Sequence, residues 1–118
     1  MKSERYVINF YGIDSKYYTN DYVGMCWELA ANRVYESCKL YVTGTVETSD
    51  LICGEVRGCE LGKVRHSVTV VRNPAEVPDG EIYKEAVLKV ITETREILGN
   101  PNMSVIMDDV EFYYFKKV

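Results

Sequence analysis

Asp79-Gly-Glu-Ile-Tyr-Lys-Glu-Ala-Val-Leu-Lys-Val-Ile-Thr-Glu-Thr-Arg-Glu-Ile-Leu98 is the clearest helix in the chain, and the other segments read as strands and loops that pack on it. Asp79 follows Pro78 and has the side chain of an N-cap, while Glu81 and Glu85 put negative charge where the helix dipole favours it. Ile82, Ala86, Val90 and Ile97 fall on one face, with Tyr83, Val87, Ile91 and Leu98 beside them. Lys84, Lys89, Glu93, Arg95 and Glu96 take the other side. Gly99-Asn100-Pro101 then stops the helix in the manner of a left-handed C-cap followed by proline.

Working outward, 118 residues with 47% hydrophobic content are enough for one domain with its own core. A net charge of −4 argues against general nucleic-acid binding, which needs a basic excess. Ten tyrosines suit half-buried strands and also offer stacking surfaces. The four cysteines, at 26, 38, 53 and 59, make no Cys-x-x-Cys pair, and His66 is the single histidine, so no zinc site is expected. Cys53 and Cys59 are close enough in sequence to meet across a turn. The polar start Met1-Lys2-Ser3-Glu4-Arg5 and the short run Tyr6 to Tyr11 do not read as a secretory leader, and no stretch is long enough to span a membrane. The expectation is a cytoplasmic protein with reduced thiols.

Tyr6-Val-Ile-Asn-Phe-Tyr11 reads as a central strand with both faces covered. Asn20 or Asp21 to Ser37 reads as a helix, with Val23, Trp27, Ala30, Ala31 and Val34 at helical spacing. Gly24 weakens it by about 1 kcal/mol relative to alanine, and a strand through Tyr22 to Trp27 competes. Lys39 to Thr48 alternates as a strand, with a bulge at Gly44. Leu51 to Arg57 and Gly62 to Arg72 read as two more, and Met103 to Lys117 as the last strand or pair of strands. The order β-α-β-β-β-α-β gives an α+β fold: a single domain, residues 1–118, with a mostly antiparallel sheet and two helices.

Catalytic signatures are few. A Ser-His or Cys-His nucleophile must use His66, which sits in a strand among valines, where a half-buried structural histidine is the commoner outcome. The glycines form no phosphate loop or dinucleotide fingerprint. Asp108, Asp109 and Glu111 have the chemistry to hold magnesium, although adjacent carboxylates at a bend are more often solvated. Glu28 with Glu36, or Glu55 with Glu60, is the kind of pair that any acidic protein carries by chance. What stands out is Arg57, Arg65 and Arg72-Asn73. Strand-end arginines beside glycine loops suit bidentate capture of phosphate, and Trp27, Tyr22 and Asn20 offer a stacking face and polar edges for a base.

The size, the late long helix, the terminal aromatic strand and the Arg57, Arg65 and Arg72-Asn73 stretch resemble the Thoeris anti-defence family of phage proteins. The resemblance lies in layout across most of the chain and rests on no diagnostic motif. It implies a sponge: a protein that binds a cyclic ADP-ribose isomer and releases it unchanged, with no cofactor, metal or nucleophile. It further implies homo-oligomers with recessed pockets at subunit interfaces. In that reading Arg57, Arg65 and Arg72 hold the pyrophosphate, Trp27 or Tyr22 stacks on adenine, and Asn20 and Asn73 take base or ribose edges. Two other classes fit the same residues, a small nucleotide-processing enzyme using His66 and an acidic inhibitor of a host protein.

Overall fold

The computed structural model describes residues 1–13 and 16–118. Its elements are β1 (Lys2–Tyr11), α1 (Asn20–Cys38), β2 (Thr45–Asp50), β3 (Val64–Val71), α2 (Gly80–Ile97) and β4 (Met103–Glu111), with a 3-10 turn at Glu55–Arg57. The four strands form one sheet in the order β2-β3-β1-β4, and every neighbouring pair is antiparallel. Each β-α-β unit therefore leaves a gap that a strand of the other unit fills, which is the split β-α-β, ferredoxin-like arrangement. The α+β architecture with two helices is the one the sequence implies.

Period-two alternation sets the two faces of the sheet. Tyr6, Ile8 and Phe10 of β1 lie opposite Val70, Val68 and His66 of β3. With Val23, Cys26, Trp27, Ala30, Ala31 and Val34 of α1, and Tyr83, Ala86, Val87, Val90 and Ile91 of α2, they make the core. Burying Ile8 and Phe10, both at 0% exposure, stabilises the fold by about 1.5–3 kcal/mol each. Thr19 caps α1 by accepting from the Tyr22 amide, and Asp79 caps α2 by accepting from Glu81 and Ile82. The buried stripe of α2 is rotated from the expected face. Ile82 is 54% exposed, while Thr94 is buried with its hydroxyl satisfied by donation to the Val90 carbonyl.

β1 is central, yet helices cover only one of its faces. The other carries Arg5, which pairs with Asp108 at 2.6 Å, and Asn9, which donates to Ser104. The segment 39–44 forms no strand, and in it the Val42 carbonyl accepts from the Trp27 indole N–H at 3.2 Å. Gly44 sits so close to the core that a Cβ there would stand 2.7 Å from Val68 Cγ1. Leu51 to Arg57 holds the 3-10 turn where a strand was expected: the Arg57 amide closes on the Gly54 carbonyl, and Cys53 is bonded to Cys59. β4 ends at Glu111, and Tyr113, Tyr114 and Phe115 beyond it are exposed.

Candidate functional site

The three arginines expected to share a pyrophosphate do not converge. Arg57 lies in the β2–β3 loop and donates to the Cys53 carbonyl. Arg65 faces the helix-free side of the sheet and donates to Ser49. Arg72 is buried at the opposite end of β3, paired with Glu4 at 2.7 Å and donating to the Val77 and Pro78 carbonyls. Asn73 accepts from the Ala75 amide and shapes the turn leading to α2. Tyr22 stacks edge-on against Tyr18, with ring centroids 5.1 Å apart. Trp27 and Asn20 alone among the seven come to one place, a groove between the first half of α1 and the segment 41–46.

That groove, of about 450 Å³, is lined by Asn20, Asp21, Gly24, Met25, Trp27 and Glu28 from α1, facing Tyr41 to Gly44 and Val46. It falls within the ~300–1,000 Å³ range of small-molecule sites. Asp21, Gly24, Met25 and Glu28 share one helix face by their i, i+3, i+4, i+7 spacing, so both carboxylates reach the same cleft. Gly24 lacks a side chain where α1 passes over Val46, and this opens the groove floor. Trp27 is 3% exposed with its N–H engaged, so it supports the floor and offers no open stacking face. Tyr41 supplies that face: it is 41% exposed and held edge-on by Tyr35 at 6.0 Å. Neither Asp21 nor Glu28 is in an ion pair among the described residues, and no lysine or arginine lines the groove.

Behind the groove, Thr48 on β2 links two polar side chains. Its hydroxyl donates to Asn20 Oδ1 at 3.2 Å and stands 2.9 Å from His66 Nδ1. His66 is completely buried, and its Nε2 has no partner among the described residues. Burial lowers its pKa below the ordinary histidine value, which keeps the ring neutral. A ring sealed in this way cannot touch a substrate, so acid–base chemistry by His66 itself is excluded by geometry.

A larger concavity of about 670 Å³ sits within the loop between β2 and β3, walled by Leu51, Ile52, Val56 and the Cys53–Cys59 bridge. Of its charged lining groups, Glu55 pairs with Lys63, while Asp50 is in no ion pair among the described residues; Arg57 nearby bonds to the Cys53 carbonyl. The smaller groove brings two unpaired carboxylates, Asp21 and Glu28, beside the exposed Tyr41 ring, and on that ground it is the better site. No group of three or more histidine, cysteine or acidic side chains fit to hold a metal occurs among the described residues. Asp108 and Asp109 point to opposite faces of β4, and Asp108 already pairs with Arg5, so Asp108, Asp109 and Glu111 do not form one site together.

Fold and groove together define a small α+β protein with an acidic, aromatic-walled site suited to a cationic organic ligand. The chain belongs to the SAM lyase family, whose model matches residues 1–116. A lyase breaks a bond in its substrate, so the family overturns the expectation of a non-catalytic sponge that returns a cyclic nucleotide intact. No curated protein sequence matches the chain. Among solved structures it is similar to amidases of the hydantoinase/carbamoylase family from Burkholderia multivorans (15% identity, TM-score 0.42) and Burkholderia vietnamiensis (16%, 0.42). The match covers 95% of this chain but only 28% of each amidase. Among the described residues, no helix is long and apolar enough to cross a membrane.

Proposed function

We propose that the chain cleaves S-adenosylmethionine in the groove between α1 and Tyr41–Val46. The observation that carries the reading is the groove's charge: two unpaired carboxylates, one open aromatic ring and no basic side chain. A phosphate would be repelled there. A sulfonium is drawn to carboxylates and to the face of an aromatic ring, as other organic cations are. Asn20 and Glu28 are eight residues apart, or about 12 Å along the helix. The substrate's carboxylate then lies at the positive N-terminal end of α1, near Asn20. Its ammonium group lies by Asp21, its sulfonium and ribose toward Glu28, and its adenine against Tyr41.

A sulfonium needs little help to break. In the route we favour, a carboxylate oxygen of the substrate attacks its own γ-carbon and the C–S bond opens. The electron pair stays on sulfur, giving neutral methylthioadenosine and homoserine lactone. No proton moves and no co-reactant enters. The groove's task is to fold the methionine chain so that oxygen and γ-carbon meet, which is catalysis by orientation. An elimination would instead need a base at the β-carbon and would give vinylglycine.

Chromatography of the products of purified protein and S-adenosylmethionine tests this reading. Glu28→Gln and Tyr41→Ala should each lower kcat/KM by about 10- to 100-fold, the range of one charged contact. Wild-type kinetics in both variants would remove the reaction from this groove, and vinylglycine would replace the displacement by elimination. Consuming the methyl donor deprives every methyltransferase in the same cell. An anti-defence role in the host cytoplasm is therefore part of this proposal, served by destruction of a metabolite instead of capture of a signal. A homo-oligomer belongs to the proposal as well, since β2 flanks the groove as an edge strand open to a second copy.

A further inference from the structure

We infer that Asn20 selects substrates by their carboxylate, and that Thr48 and His66 are positioning residues that fix which way its amide points. The inference rests on the reading of the groove as the S-adenosylmethionine site. Asn20 Oδ1 can only accept, so the single Thr48 hydroxyl proton goes to it across 3.2 Å. Thr48 therefore meets His66, 2.9 Å away, as an acceptor, and His66 Nδ1 must donate. The ring is then neutral with its proton on Nδ1, and the bare lone pair at Nε2 is the atom left unpartnered in the core.

This order has a direction. Turning the Asn20 amide over would present its NH₂ to Thr48, make Thr48 donate to Nδ1 and move the ring proton to Nε2. There it would be a buried donor with nothing to receive it, a costlier orphan than a lone pair. The core thus holds the amide oxygen inward. Asn20 Nδ2 has no partner among the described residues and lies on the groove, where it offers its hydrogens to an acceptor. The groove's other unpaired polar groups include Asp21 and Glu28, which repel a carboxylate. The amide at the start of α1 is therefore the one lining side chain that combines free N–H donors with a neighbouring helix N-terminus.

Two inhibitors read the amide separately from the reaction: S-adenosylhomocysteine, and the same molecule without its carboxylate. Wild-type protein should prefer the first. Asn20→Asp keeps the shape, removes both donors and adds a negative charge. It should raise the inhibition constant of S-adenosylhomocysteine by about 10-fold or more and leave the decarboxylated compound within about 2-fold. Thr48→Val should erode the preference in the same direction, and Thr48→Ser should restore it. A purely structural role would weaken both inhibitors together, and that result, or no change in either, overturns the inference. Glu28→Gln, measured alongside, separates the two failures. Altered kinetics there with an unaffected Asn20→Asp refutes the amide's role and leaves the groove standing, while no effect from either variant refutes the groove.

Discussion

Gly44→Ala tests whether the groove wall and the core are one packed unit. The added methyl would stand 2.7 Å from Val68 Cγ1, 3.1 Å from Trp27 Nε1 and 3.3 Å from Val70 Cγ1. Val68 and Val70 are buried and β-branched, so neither side chain can swing away, and Trp27 is held by its bond to Val42. Overpacking of this kind costs about 1–3 kcal/mol, offset by about 0.4–1 kcal/mol from the stiffer unfolded chain. The net loss is about 1–2 kcal/mol. An unfolding entropy of about 0.25 kcal/mol/K for a chain of this size makes that a fall of about 4–8 °C in Tm, read by circular dichroism. Gly24→Ala is the control, because its Cβ would meet only Val46 Cγ2, at an ordinary 3.9 Å. Helix propensity should then raise stability by up to about 1 kcal/mol. A Gly44→Ala protein that melts at or above the wild-type temperature would refute the packing described around Val68 and Trp27.

Arg72→Leu strands the Glu4 carboxylate and two carbonyls, and should cost about 3 kcal/mol, or about 12 °C in Tm, with kcat/KM per folded molecule unchanged. A fall in turnover without a fall in Tm would return Arg72 to the site. His66 is pushed below its ordinary 6.5 by burial, so the unfolded chain binds the extra proton first. Its contribution is intact above about pH 6.5 and is lost as pH falls below that value; urea midpoints should decline over this window in wild type more than in His66→Gln, and parallel curves would contradict it. Reducing the Cys53–Cys59 bridge, which closes a short loop, should cost at most about 2 kcal/mol. Faster amide exchange should be confined to residues 51–63, and faster exchange in β3 or α1 would show that the bridge supports more than its own loop.

The helices were legible because their signals are local. The Asp79 cap, the apolar spacing and the Gly99-Asn100-Pro101 stop all lie within the segments they define, while the Thr19 cap of α1 emerged only from the structure. β3 was legible for the same reason, since alternation marks a half-buried strand. β1 was read from its continuous apolar run, which gave a central strand but wrongly implied that both faces are covered. Alternation does not say whether the backbone is paired. The run 39–44 therefore looks like a strand, although Trp27, far along the chain, takes the Val42 carbonyl. The α1 side of the groove was reached only through Asn20 and Trp27, and Asp21, Gly24, Met25 and Glu28 were not linked to it. Its other side, Tyr41 to Val46, comes from a segment whose position depends on the sheet. The reaction was not legible, because none of the spacings read from the chain points to bond cleavage, and a shared layout supports many functions.

The arginines misled for a reason that also locates the site. A guanidinium is read from sequence as an available anion receptor, yet Arg5, Arg57, Arg65 and Arg72 each have a partner that folding supplies: Asp108, the Cys53 carbonyl, Ser49 and Glu4. Glu4 and Arg72 are separated by 68 residues, so no local pattern reveals that the charge is already used. The net charge of −4 was taken only as an argument against nucleic acid. With these arginines engaged, the surplus resides in unpaired carboxylates, and Asp21 and Glu28 bring two of them into a cleft beside an open aromatic ring. Charges already paired in the fold hold the chain together. The proposed site takes its sign from unpaired ones, and on that proposal its ligand is a cation.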